Sequence, residues 1–136
     1  MSEIHIPVSY GELIDKITIL EIKQARLTDP GKRGNVSHEL TLLRAAWEAS
    51  AAAQGVAIED LRVALKAVNE ALWDIEDDIR DKERAQAFDA GFIALARAVY
   101  HQNDRRAALK REINLRLGSA LVEEKSYADY AANQPL

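Results

Sequence analysis

The stretch from Ile58 to Ile79, IEDLRVALKAVNEALWDIEDDI, decides the fold. Its apolar residues Leu61, Leu65, Val68, Leu72, Ile75 and Ile79 recur at alternating steps of four and three. Those steps keep one stripe of a helix apolar over several turns, whereas a half-buried strand would alternate at every second residue. A second long stripe follows through Phe92, Leu95, Val99, Ile113 and Leu117 and stops at Gly118. The break at Ala87-Phe88-Asp89, with Asp89 as a helix cap, is short, so the two helices are expected to fold back as antiparallel neighbours. Each would be roughly 40 Å long at about 1.5 Å per residue.

Upstream, Ser9-Tyr10-Gly11-Glu12 matches a capping box, with Ser9 at the cap and Glu12 three residues on. A first helix is predicted from Tyr10 to Leu27, preceded by an extended lead-in over residues 1–8 that contains Pro7. Thr28-Asp29-Pro30-Gly31-Lys32-Arg33-Gly34 reads as a breaker segment and the clearest loop of the chain. A second helix is then expected to start after Asn35 or Ser37, to carry Leu40, Leu43 and Trp47, and to stop at Gly55. Residues 119–136 read as a tail with a short helix expected over Ala120–Tyr130. No internal repeat is visible. The fold class is therefore all-α: one domain over residues 1–136, an antiparallel bundle of about four helices built around a long hairpin of the third and fourth.

Composition narrows the function classes. Hydrophobic residues make up 48% of the 136-residue chain and charged residues 29%, a balance that folds rather than staying disordered. Glycine (6) and proline (3) are scarce, which favours helix throughout. With no cysteine there is no disulfide, thiolate metal site or cysteine nucleophile, a pattern that fits a reducing compartment. The N-terminal residues lack a basic segment followed by an apolar one, and no apolar run approaches a bilayer's thickness. The expected location is the cytoplasm, with no membrane partner. A net charge of −4 with mixed signs argues against nucleic-acid binding, which needs a basic face.

The periodicity fails in an informative place. At 100° steps around the fourth helix, Asn103, Arg106, Lys110 and Asn114 fall within the stripe of Phe92, Val99 and Ile113. On the first helix Glu21 sits in the apolar face of Leu13, Ile14, Ile17 and Leu20. On the third, Glu76 and Glu83 flank the seam, with Asn69, Trp73 and Arg80 on the adjoining stripe. Antiparallel pairing places Glu76 opposite Val99 and Tyr100, within about one turn of Asn103. The candidate interior polar cluster is thus Glu21, Glu76, Arg80, Glu83, Asn103, Arg106, Lys110 and Asn114. Three readings follow: a buried ion-pair network that fixes helix register, a subunit interface, or a pocket in which Arg106 and Lys110 hold an anion while Asn103 and Asn114 orient it.

Asp74, Asp77, Asp78 and Asp81 form an acidic stripe opposite the third helix's seam, a pattern that is most often a solvated face and sometimes a Mg²⁺ site. With Glu12 and Asp15 it resembles the acidic helices of all-α nucleoside triphosphate pyrophosphohydrolases, whose acids converge inward instead. Ile14-Asp15-Lys16-Ile17 resembles the opening of all-helical chorismate mutases, but Thr18 stands where those have a second acid. His5, His38 and His101 are far apart, and no Glu-x-x-His pair, phosphate-binding glycine loop or serine nucleophile elbow occurs. No metal or cofactor is expected.

The stretch Gly11-Glu12-Leu13-Ile14-Asp15-Lys16-Ile17-Thr18-Ile19-Leu20-Glu21-Ile22-Lys23 is similar to the signature of a bacterial family of small helical proteins of unknown function. Leu72-Trp73-Asp74-Ile75-Glu76-Asp77 with Arg80 and Glu83 resembles its second block. Val99-Tyr100, Asn103, Lys110, Ile113-Asn114 and Glu123-Glu124-Lys125-Ser126-Tyr127 resemble its last. The resemblance spans nearly the whole chain and implies no activity. The leading expectation is a non-enzymatic binding or assembly module, homodimeric, whose partners are a second copy, another protein or a small anionic ligand. The alternative is a small enzyme with a charged cavity between helices, acting on an anionic metabolite in a mutase-like or Mg²⁺-dependent manner. There Arg106 and Lys110 would bind the anion, and Glu21 or Glu76 would act as general acid or base.

Overall fold

A computed structural model describes residues 2–130. Five helices follow one another: α1 (Tyr10–Arg26), α2 (Pro30–Ala49), α3 (Ala52–Gly55), α4 (Glu59–Arg84) and α5 (Ala90–Leu117). No strand occurs among the described residues. The described residues form an all-helical fold of four long helices and one short helix, α3, which ends at Gly55 where the second helix was expected to stop.

Helix α1 is the centre. It packs against α2, α4 and α5, while α4 and α5 pack on each other as the long hairpin. Ile14, Ile17 and Leu20 of α1 meet Val36 and Leu40 of α2, Ile58, Leu61 and Leu65 at the start of α4, and Ile113 of α5. Removing side chains of this size from water is the main stabilising term, about 1.5–3 kcal/mol for each one fully buried. Tyr10 and Trp47 close the α1–α2 side with an edge-on ring contact at 6.2 Å.

The helix ends show which local signals were read correctly. Ser9 Oγ accepts from the Glu12 amide at 3.1 Å, as the capping motif predicts. At the other end of the hairpin, Asp89 Oδ1 accepts from the Phe92 amide at 3.0 Å. Gly118 ends α5 with φ of 66°, and the Ser119 amide reaches back to the Asn114 carbonyl at 2.8 Å. This is the left-handed glycine stop.

Two expectations are corrected. The second helix does not wait for Asn35 or Ser37: it starts at Pro30, with Asp29 Oδ2 accepting from the Lys32 amide at 2.9 Å. Asp-Pro is a breaker only for a preceding helix. For a following one it supplies a cap and a first residue whose φ is already helical and whose missing N–H is not needed. The tail forms no helix over residues 120–130. Side-chain contacts to α5 hold it in extended form instead: Glu123 to Lys110, Glu124 to Arg111 and Tyr130 to His101. The last six residues of the expected tail, 131–136, lie outside the described residues.

Burial along the hairpin is uneven. Leu61, Leu65, Val68 and Asn69 of α4 and Lys110, Ile113 and Asn114 of α5 are buried against α1. Between Asn69 and Lys110 no residue is buried, although the seam continues through Leu72, Ile75, Ile79, Phe92, Leu95 and Val99. The distal part of α4 and α5 is an arm that outruns the rest of the molecule.

Candidate functional site

The candidate site grows from the close approach of α1 and α5. Gly11 makes that approach possible: a Cβ there would lie 2.4 Å from the Lys110 carbonyl oxygen, far inside contact distance. The Gly11 amide donates to Asn114 Oδ1 at 2.6 Å, and the Tyr10 amide donates to Ser119 Oγ at 3.4 Å. With Ser9 on Glu12, the first amides of α1 are thus satisfied by side chains, two of them from the far end of the chain. The other amide atom of Asn114, Nδ2, is buried with no partner among the described residues.

One turn further along α1 stands Asp15, 1% exposed. Its carboxylate accepts from Arg106 Nε at 2.9 Å and Nη2 at 2.5 Å, a two-pronged pair across the α1–α5 contact. It also accepts from Asn69 Nδ2 of α4 at 2.9 Å. Thr18 completes the set, donating to the Asp15 carbonyl at 2.8 Å and accepting from Asn69 Nδ2 at 3.0 Å. Asp15, Thr18 and Asn69 are all buried, so three helices meet on one carboxylate. The hydrogen bonds it donates to Asp15 hold the Arg106 guanidinium above its ordinary pKa against the opposing effect of burial.

Lys110 forms the second centre. Its ammonium donates to Glu12 Oε2 at 2.7 Å and to Glu123 Oε2 at 2.8 Å, tying α1, α5 and the tail together. Burial by itself would lower the Lys110 pKa; the hydrogen bonds it donates to Glu12 and Glu123, with the charge of Asp15, outweigh it and raise the value. Glu123 is held below the usual carboxylate range, chiefly by its hydrogen bond from Lys110. Glu12, expected to bond back to its own cap, turns to Lys110 instead.

The eight residues singled out in the sequence therefore separate. Arg106, Lys110 and Asn114 belong to this network. Asn103 lies one turn before Arg106, exposed, on the rim of a cavity that Arg106 also lines. Glu21 stands in a different cluster, where Arg44, Arg62 and Lys66 approach it at 2.7, 3.4 and 3.6 Å and join α1, α2 and α4. Glu76 and Arg80 pair with each other on the surface of α4 at 3.3 Å, and Glu83 is exposed near its end. These three are exposed rather than interior, because α1 does not extend far enough to cover them, although Glu76 lines the same cavity as Asn103 and Arg106.

Asp15, Thr18, Glu12 and Glu123 are members that helical periodicity did not single out, and Asn69 was placed on an adjoining stripe but outside the cluster. A signal for the first two exists: Gly11, Asp15, Thr18 and Ile22 recur at helical spacing and form a second buried stripe of α1. The acidic residues of α4 behave as a surface: Asp74 pairs with Arg26 at 2.5 Å and Asp81 with Arg84 at 3.3 Å. Among the described residues no three histidine or carboxylate side chains gather in a way that could hold a metal ion. Likewise, no helix among them is long and apolar enough to cross a membrane.

Chemically, the network is closed on itself. Both interior cations are engaged by carboxylates of the same chain, and each carboxylate is held by donors. No curated protein and no solved structure matches the chain. A family model does, over residues 4–135, and the chain belongs to that family of unknown function, DUF6165.

Proposed function

We propose that this protein is a non-enzymatic assembly module of the bacterial cytoplasm that works as a homodimer. The buried polar network is its scaffold, and the arm of α4 and α5 is its working surface. One observation carries the reading: beside a seam that is only half-buried between α4 and α5, the arm exposes large apolar side chains. Phe88, Ile93 and Tyr100 are 53%, 57% and 48% exposed, and no residue from 70 to 109 is buried. Apolar surface of this extent around long helices is what a second hairpin covers when two pack into a bundle. A cysteine-free composition and the resemblance of the α1 stretch to a bacterial family support the setting.

The enzyme reading has less behind it. It needs Arg106 and Lys110 to offer charge to an anion, and both are paired within the chain. The assembly reading is tested by heat. A dimer held through the arm melts at a temperature that rises with protein concentration, because dissociation accompanies unfolding. Ile93→Glu removes that dependence without disturbing the monomer's core, since Ile93 is on the surface. A wild-type melting temperature that stays constant over a wide concentration range would sink the proposal.

A further inference from the structure

Beside the polar network lies an open groove of about 510 Å³ between α1, α4 and α5, within the range of small-ligand sites. Its apolar wall is Ile19, Ile22, Leu72 and Trp73. Its polar groups are of both signs. Lys23 lines it with an ammonium that has no ion pair among the described residues, and Arg106 lines it with Nη1 left over after Nε and Nη2 bind Asp15. Asp77 lines it with a carboxylate that likewise has no ion pair there, and Glu76, paired with Arg80, lines it too. Asn69 lines it as well: its Nδ2 donates to Asp15 and Thr18, which leaves Oδ1 as an acceptor for a ligand.

We propose that this groove binds a free α-amino acid with a large apolar side chain. The ligand's carboxylate meets Lys23 and the free Nη1 of Arg106, its ammonium meets Asp77 and Asn69 Oδ1, and its side chain lies on Ile19, Ile22, Leu72 and Trp73. The balance of charge argues for this class over others. A phosphate or other dianion would face the carboxylates of both Glu76 and Asp77. An uncharged apolar molecule would leave Lys23, Asp77 and the Asn69 acceptor unmatched. A zwitterion satisfies all of them. The groove lies outside the Lys110–Glu123 contact, at the base of the arm, so binding and association are read separately in the test.

The test uses the whole chain and the indole N–H resonance of Trp73, made the only tryptophan by Trp47→Phe. L-Phenylalanine is the probe. A saturable shift of that resonance is expected, weakened about tenfold or more by Lys23→Ala, the loss of one charge-assisted contact. Phenylalaninamide, lacking the carboxylate, and 3-phenylpropanoate, lacking the amine, should each bind more weakly by a similar factor. Lys23 has no partner to strand, so the variant is expected to keep the wild-type spectrum elsewhere. A shift that never saturates, or saturates equally in Lys23→Ala, overturns the proposal. So does equal binding of 3-phenylpropanoate, which would mean that the ammonium is not recognised. Light scattering in the same buffer reports association separately, so neither result can be mistaken for the other.

Discussion

At Asp15 a single carboxylate accepts hydrogen bonds from Arg106 and Asn69, and its environment excludes water almost completely. Such a group is favourable only while its partners stay in place. Arg106→Leu strands the charge and is expected to destabilise the protein by about 3–5 kcal/mol. Replacing both partners, Asp15→Leu with Arg106→Leu, should recover most of that loss, since apolar groups of similar size often serve a buried site as well as the pair. Urea unfolding of the two single variants and the double variant measures it. Stability equal to wild type in Arg106→Leu alone would show that the pair is not structural.

Glu123 gives a pH-dependent counterpart at the surface. Its folded pKa is depressed, so its contribution is present above the unfolded carboxylate value of about 4.3 and is lost as pH falls through the folded value. Lys110 has the opposite sign: its folded pKa is raised, so its contribution is present below the unfolded lysine value of about 10.4 and is lost as pH rises through the folded value. Across neutral pH the wild type should therefore melt above Glu123→Gln by a constant margin, and the margin should close under acid. At this scale Arg106, Lys110 and Asn114 were legible because they interrupt an apolar stripe. Asp15 was not, because its stripe of Gly11, Thr18 and Ile22 looks polar until α5 packs on it.

Among the elements, α4 and α5 were readable from repeating steps of three and four, and α1 from its cap. The start of α2 was misread because Asp29 and Pro30 carry opposite meanings for the helix before them and the helix after. The hairpin turn holds a feature that composition does not reveal. Gln86 sits at φ of 54°, and the Ala87 amide reaches back to the Lys82 carbonyl at 2.9 Å, the stop that Gly118 makes in α5. A side chain in that conformation costs about 1–2 kcal/mol, partly offset by its lower freedom when unfolded. Gln86→Gly is therefore expected to stabilise the protein by up to about 1 kcal/mol, measured by thermal unfolding. A loss of stability would mean that the bond from Gln86 Nε2 to the Glu83 carbonyl outweighs the strain.

For the molecule as a whole, helix lengths set the outcome. Helix α1 has 17 residues, against 26 in α4 and 28 in α5, so the hairpin extends past the helix that covers its base. Those lengths were close to readable from sequence. Where α1 crosses the hairpin was not, and that crossing decides that Glu76, Arg80 and Glu83 face outward while Arg106 and Lys110 face in. It also leaves Phe88, Ile93 and Tyr100 of the arm exposed, and the proposed assembly depends on them. Its most direct test is the mass in solution by light scattering. The account predicts twice the 15.1 kDa of one chain for the wild type, and a single-chain mass with unchanged helix content for Ile93→Glu. A single-chain mass for the wild type, or a dimer unaffected by Ile93→Glu, would contradict it.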